Sequence, residues 1–221
     1  MQYHWLQRKG SESLVLFFCG WGSDFRPFES IPSESCDIIC FYSYHTGCIP
    51  DWDTILAPYN KHHIVAWSMG VLQAEISLAD RSRIFATALA VNGTLLPVHD
   101  QYGIPCEAYQ QTIDAFSEPS LRKFIQRMCK ERSAISSYNE QLPKREITEQ
   151  KDELIYHQQQ SLIRGREQTS LFTKALIGTA DMIFPPDNMR NFWEGKLTVV
   201  ESEYQHFPFY RFLSWEALIA L

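Results

Sequence analysis

Nowhere does the chain hold the roughly 18–20 consecutive apolar residues that a membrane-crossing helix requires, and Met1 to Gly10 contain no apolar signal-peptide core. A membrane role is not expected, and the expected location is the cytoplasm. Basic charge is in short supply: 20 Lys and Arg stand against 26 Asp and Glu, a formal net charge of −6. Non-specific nucleic-acid binding needs the opposite surplus facing phosphates, so nucleic acid is not an expected partner. Cysteines paired at short spacing are missing too. The six cysteines are scattered, and Cys36, Cys40 and Cys48 lack the spacing of a zinc site. Buried reduced thiols are therefore expected rather than a metal centre or a disulfide framework. Internal repeats, low-complexity tracts and linkers are also absent, which leaves 221 residues to be read as one domain and an expected monomer.

What the chain does contain is a set of short apolar runs with little polar alternation, at 14–18, 37–42, 63–67 and 84–91. Strands of a parallel sheet covered by helices on both faces have this pattern. Between the third and fourth runs, Val71, Ala74, Ile76, Leu78 and Ala79 fit a largely buried helix over 70–79. Strand, turn, helix and strand make a βαβ unit with an expected right-handed crossover. From 99 to 168 the chain turns rich in Gln, Glu, Lys and Arg with apolar residues at helical intervals, which predicts a helical insertion with amphipathic helices over 121–132 and 149–164. Strand character returns at 171–177 and 196–200, and 208–221 reads as a closing helix. The expected organisation is thus an α/β core in two parts, 1–98 and 169–221, interrupted by a helical lid at 99–168.

The third run ends in Ala66-Trp67-Ser68-Met69-Gly70, directly before the buried helix. In that strand-to-helix context a small-x-Ser-x-Gly pentapeptide makes a tight elbow that presents the serine, and the small first and fifth residues let strand and helix approach closely. Alanine replaces the commoner glycine at the first position, and a helix-capping serine is the competing reading of Ser68. A serine nucleophile needs a base, an orienting acid and preorganised N–H donors for the developing oxyanion. His206, after the last predicted strand, is placed to reach back to Ser68. Asp181, in the Gly178 to Pro185 loop after the 171–177 strand, is the expected acid, with Asp187 as its nearest competitor. The oxyanion donors are expected at the backbone N–H of Met69 and of Trp21 or Gly22, where the Gly20-Trp21-Gly22 turn follows the first strand.

Together, Phe-Phe-Cys-Gly-Trp-Gly at 17–22, Ala-Trp-Ser-Met-Gly at 66–70, the 178–185 loop and His206 closely resemble the BioG type of pimeloyl-acyl-carrier-protein methyl ester esterase. The resemblance implies an α/β-hydrolase fold and removal of a methyl group from a pimeloyl methyl ester still attached to acyl carrier protein, in biotin synthesis. Ser68 would attack the ester carbonyl while His206 moves the proton to the departing methanol, with Asp181 ionised throughout and no metal or organic cofactor required. Gly20, Gly22 and Trp67 are expected around the bound ester, and Phe116, Phe124 and Met128 along the aliphatic chain.

One feature agrees with a carrier-borne substrate. Arg122, Lys123, Arg127, Lys130 and Arg132 cluster in the first amphipathic segment against a single acid, Glu131. Such a cluster on an acidic protein would steer an acidic carrier, with Lys144 and Arg145 extending it; a solvated helix face is the competing reading. Three other functions are compatible with the sequence: a thioesterase or a general short-chain carboxylesterase using the same residues, and a hydrolase fold that only binds a partner. Cys19 as an alternative nucleophile is disfavoured because the glycines after it suit an oxyanion loop better than an activated thiolate.

Overall fold

The computed structural model describes residues 1–163 and 170–221. In chain order its elements are β1 (Gln2–Gln7), β2 (Ser13–Phe18), β3 (Cys36–Tyr42), α1 (Trp52–Leu56), β4 (Lys61–Trp67), α2 (Gly70–Leu78) and β5 (Phe85–Val91). Four helices follow: α3 (Cys106–Asp114), α4 (Glu118–Cys129), α5 (Arg132–Glu140) and α6 (Ile147–Ile163). The chain then returns to the sheet through β6 (Lys174–Gly178), α7 (Pro186–Trp193), β7 (Thr198–Ser202) and α8 (Trp215–Ile219). The seven strands form one sheet in the order β1-β3-β2-β4-β5-β6-β7, with β1 antiparallel and the other neighbours parallel. Among the described residues no helix is long and apolar enough to cross a membrane.

The unbroken apolar runs have a direct physical cause. Strand side chains alternate between faces, so Leu14, Leu16 and Phe18 of β2 enter one core cluster while Val15 and Phe17 enter the other. Ile64 and Ala66 of β4 likewise face one side, with Val65 and Trp67 on the opposite side. Both faces of the central strands are therefore buried, and each fully buried Leu or Phe contributes about 1.5–3 kcal/mol of transfer free energy.

Several expected boundaries differ from the structure. Strand β1 is absent from the expectation because Gln-Tyr-His-Trp-Leu-Gln has the mixed polarity of a half-exposed edge strand. The strand expected over 171–177 begins only at Lys174. The N–H of Leu171 donates instead to Glu75 Oε2 at 2.7 Å, and Leu171 and Phe172 are buried outside the ladder. The strand expected over 196–200 is β7, shifted to Thr198–Ser202. The closing helix is in two pieces: a 3-10 turn at Phe209–Arg211, extended backbone at Phe212, and α8 capped by Ser214, whose hydroxyl accepts the Ala217 N–H at 3.3 Å.

The segment read as one helix over 121–132 is also divided. Helix α4 starts at a Ser117 capping box and stops where Lys130 takes φ 57°, so Arg132 opens α5 instead of extending the same face. Helix α6 covers the segment expected over 149–164 up to Ile163, and Arg164 lies outside the described residues. Helices α3 to α6 all lie between β5 and β6 in the chain, the place of the expected insertion.

Candidate active site

Ser68 sits between β4 and α2 with φ 58°, a left-handed conformation that a non-glycine residue adopts only where its surroundings enforce it. Close packing enforces it here. A Cβ on Gly70 would lie 2.4 Å from the Phe18 carbonyl oxygen, and one on Gly93 would lie 2.4 Å from the carbonyl oxygen of Ser68. The serine is thereby projected from the carboxyl end of the central strands, where ligands of open α/β sheets collect.

His206 Nε2 lies 3.0 Å from Ser68 Oγ, and Nδ1 lies 2.7 Å from Asp181 Oδ2. A carboxylate only accepts, so Nδ1 carries the hydrogen and Nε2 is free to accept the serine hydroxyl. The other oxygen of Asp181 accepts the N–H groups of Ile183 and Phe184 at 2.7 and 2.9 Å, which fixes the carboxylate. Phe184 stacks on the imidazole with rings 5° from parallel. The competing acid, Asp187, points elsewhere: its side chain is 87% exposed and pairs with Arg190 at 2.5 Å. Cys19 is fully buried, its sulfur facing Cys40 and the Asp24 carbonyl, and burial raises its thiol well above the ordinary cysteine range. A buried thiol of this kind is not an activated nucleophile.

Around Ser68 and His206 lies a cavity of about 240 Å³, walled by Trp21, Trp67, Tyr109, Phe124 and Leu154, with Arg127 also on its lining. No acceptor among the described residues takes the backbone N–H of Met69 or Trp21, whereas the Gly22 N–H is spent on Glu153 Oε2 at 3.2 Å. Of the residues expected around substrate, Trp67 and Phe124 line this cavity. Gly20 instead provides close packing, since a Cβ there would meet Trp67 at 2.9 Å and Ser68 at 3.1 Å. Gly22 lines a neighbouring cavity that excludes Ser68. Phe116 packs edge-on against Trp21 and opens onto a separate groove. Met128 does not face the site at all: it is 1% exposed and belongs to the core.

The basic residues separate similarly. Arg122, Lys123, Arg127 and Lys130 are exposed, and Arg127 also donates to the Met182 carbonyl at 2.7 Å. Arg145 does not extend this patch. Its side chain is turned inward to Glu149 and Glu153, and the paired carboxylates raise its pKa despite burial.

One contributor was missed. Asn92, fully buried after β5 with φ 47°, donates to the carbonyls of Gln205 and His206 at 2.8 and 3.1 Å and accepts the Gly178 N–H at 2.7 Å. It ties the histidine loop to the end of β6, and Trp67 Nε1 adds a 2.8 Å bond to the His206 carbonyl. The Asn-Gly pair ending the fourth apolar run was the available signal, because Asn tolerates the left-handed region.

The sheet order, its helical connections and a Ser–His–Asp chain at the carboxyl ends of the strands define an α/β-hydrolase. Solved structures agree: an esterase from Exiguobacterium antarcticum superposes with a TM-score of 0.70 at 16% identity, covering 92% of this chain and 87% of that one. The chain belongs to the BioG family, whose model, described as pimeloyl-ACP methyl esterase BioG, matches residues 1–218. The crystal structure of BioG from Haemophilus influenzae matches 99% of this chain and 100% of its own, with a TM-score of 0.89 and 31% identity. A malonyl-[acyl-carrier protein] O-methyltransferase from Bacteroides fragilis is 37% identical over 187 residues, 81% of this chain. This chain spans only 36% of that relative's length.

Proposed function

We propose that the protein hydrolyses the methyl ester of a pimeloyl group carried on acyl carrier protein, a step of biotin synthesis, through an acyl-enzyme at Ser68. The observation that carries this reading is the hydrogen-bonded run Asp181–His206–Ser68 opening into a largely apolar cavity. In this scheme His206 Nε2 accepts the Ser68 proton as Oγ attacks the ester carbonyl. The N–H groups of Met69 and Trp21 receive the oxyanion, and the imidazolium, held by Asp181, returns its proton to the departing methanol. Water then cleaves the acyl-enzyme by the same route. Trp67 and Phe124 flank the acyl chain, and Arg122, Lys123, Arg127 and Lys130 face the acidic carrier. Family membership supports the ester and carrier assignments, and the exposed cations of α4 agree with an acidic partner.

The test is release of free carboxylate from pimeloyl methyl ester on acyl carrier protein by wild type and Ser68→Ala. Loss of the nucleophile is expected to cost about 10⁴–10⁶ in rate. Faster cleavage of carrier thioesters than of the methyl ester would convert the assignment to a thioesterase. A folded wild type that neither turns over esters nor labels at Ser68 with a fluorophosphonate would leave a binding protein.

A further inference from the structure

The turn after β2 is fastened at several points by the segment that precedes and forms α6. Trp21 Nε1 donates to the Gln150 carbonyl at 2.7 Å, Arg145 Nη1 donates to the Ser23 carbonyl at 3.1 Å, and the Lys144 N–H donates to Asp24 Oδ2 at 2.9 Å. The central member is Glu153, whose side chain is fully buried. Its Oε2 accepts the Gly22 N–H at 3.2 Å and Arg145 Nη1 at 2.7 Å, while Oε1 accepts the Tyr44 N–H at 2.9 Å. Tyr44 in turn donates its hydroxyl to the Cys19 carbonyl at 2.7 Å. One carboxylate thus holds the two peptides that flank the Gly20–Trp21 peptide, directly at the Gly22 N–H and through Tyr44 at the Cys19 carbonyl, a hydroxyl that also lies 3.0 Å from the Phe41 carbonyl.

Burying an ion pair is a poor way to gain stability, since desolvation consumes most of the Coulomb attraction and an apolar pair of similar size often does better. Two adjacent peptide N–H groups follow Gly20, and an oxyanion needs one of them aimed at the reacting carbonyl. By engaging the Gly22 N–H, Glu153 leaves that of Trp21 as the one without an acceptor among the described residues.

We infer that Glu153 is a positioning residue: through the Gly22 N–H and the Tyr44 backbone it sets the orientation of the Trp21 peptide as oxyanion donor, with Arg145 as its counter-ion. The inference rests on the proposed esterase reading. It makes α6 part of the reaction machinery and not only a cover over it.

The experiment compares wild type with Glu153→Gln and with the double variant Glu153→Gln/Arg145→Met, using a short p-nitrophenyl ester, an alkylboronate that forms a tetrahedral adduct on Ser68, and amide hydrogen exchange. The amide side chain cannot accept from Gly22 and Tyr44 at once. Removal of an oxyanion donor costs roughly 10²–10³ in kcat, and a misaimed one is expected to cost about 10- to 100-fold. KM is expected to stay within about twofold, and boronate affinity to fall in step with kcat. Exchange at Gly22 is expected to accelerate at least about tenfold while β4 and β5 stay protected.

The double variant removes the Glu153–Arg145 pair but leaves Glu149 and the Ser23 carbonyl without their Arg145 donors, so it is expected to be less heat-stable than Glu153→Gln while its kcat stays equal to that of the single variant. One shared loss of kcat in two variants of different stability is something a purely structural role would not produce. A folded variant with unchanged kcat and unchanged Gly22 protection would overturn the inference. A wild type that turns over no ester, with Gly22 protection still lost in the variant, would discard the esterase reading and keep the clamp.

Discussion

Asp181 and Asp187 flank the same proline pair, and their surroundings divide their roles. Asp181 has one oxygen on His206 and the other on two backbone N–H groups, so its side chain has a single orientation. Among the described residues Asp187 pairs with Arg190 at the surface, where an ion pair contributes about 0–1 kcal/mol. Asp181→Asn presents an amide nitrogen or a weaker acceptor to Nδ1, which disturbs the tautomer that leaves Nε2 free. The expected loss in kcat is on the order of 10⁴, the cost of the equivalent change in a serine protease, with little change in KM. Asp187→Asn is expected to leave kcat within about twofold. Steady-state kinetics of the two purified variants on one ester decide the matter, and a larger loss at Asp187 would reassign the acid.

At the scale of elements, α4 faces two ways. Ile125 and Met128 are buried in the core, while Arg122 and Lys123 are exposed. Arg122→Glu/Lys123→Glu reverses charge on the solvent side only. Turnover of carrier-bound methyl ester is expected to fall about tenfold or more at low salt through slower association, with the difference shrinking as salt rises. Turnover of a free methyl ester is expected to be unchanged; an equal loss on both substrates would locate the effect in folding and not in docking. The buried face of α4 was legible in its apolar spacing, but its end was not, because a left-handed Lys130 leaves no compositional mark. Likewise β2, β4 and β5 were readable as unbroken apolar runs, and the elbow at Ser68 as a motif. Strand β1 was not, since an edge strand with one wet face carries too few apolar residues. Glu153 was hidden for a related reason: a carboxylate on an amphipathic helix reads as solvated, and only tertiary contact buries it. Glu149 and Glu153, four apart on one face of α6, with Arg145 just before the helix, were the remaining trace.

Across the whole molecule, α6 bonds both to the turn after β2 and to α2. One turn beyond Glu153 it carries His157, fully buried, whose Nδ1 accepts from Gln73 Nε2 on α2, the helix that begins just after Ser68. That bond requires a neutral ring. Burial pulls the His157 pKa down to about 4, with Arg145 and His45 acting in the same direction and Glu153 opposing them. Unfolding releases the group to its ordinary value of 6.5, so below that pH the unfolded chain binds the extra proton. The stability His157 contributes is complete above pH 6.5 and is lost as pH falls towards 4, by up to roughly 3 kcal/mol at 1.36 kcal/mol per unit. His63, also lowered to about 4 by burial, acts in the same sense. Glu216, held at about 2, is stabilising above its ordinary 4.5 and loses that contribution only in more acid solution. Denaturant midpoints measured between pH 7 and 4.5 are therefore expected to fall with pH through the histidine window. In His157→Gln, stability at pH 7 is expected to be lower but its decline towards pH 4.5 shallower than in wild type. An equally steep decline in that variant would show that protonation of His157 does not govern the acid side of the stability profile.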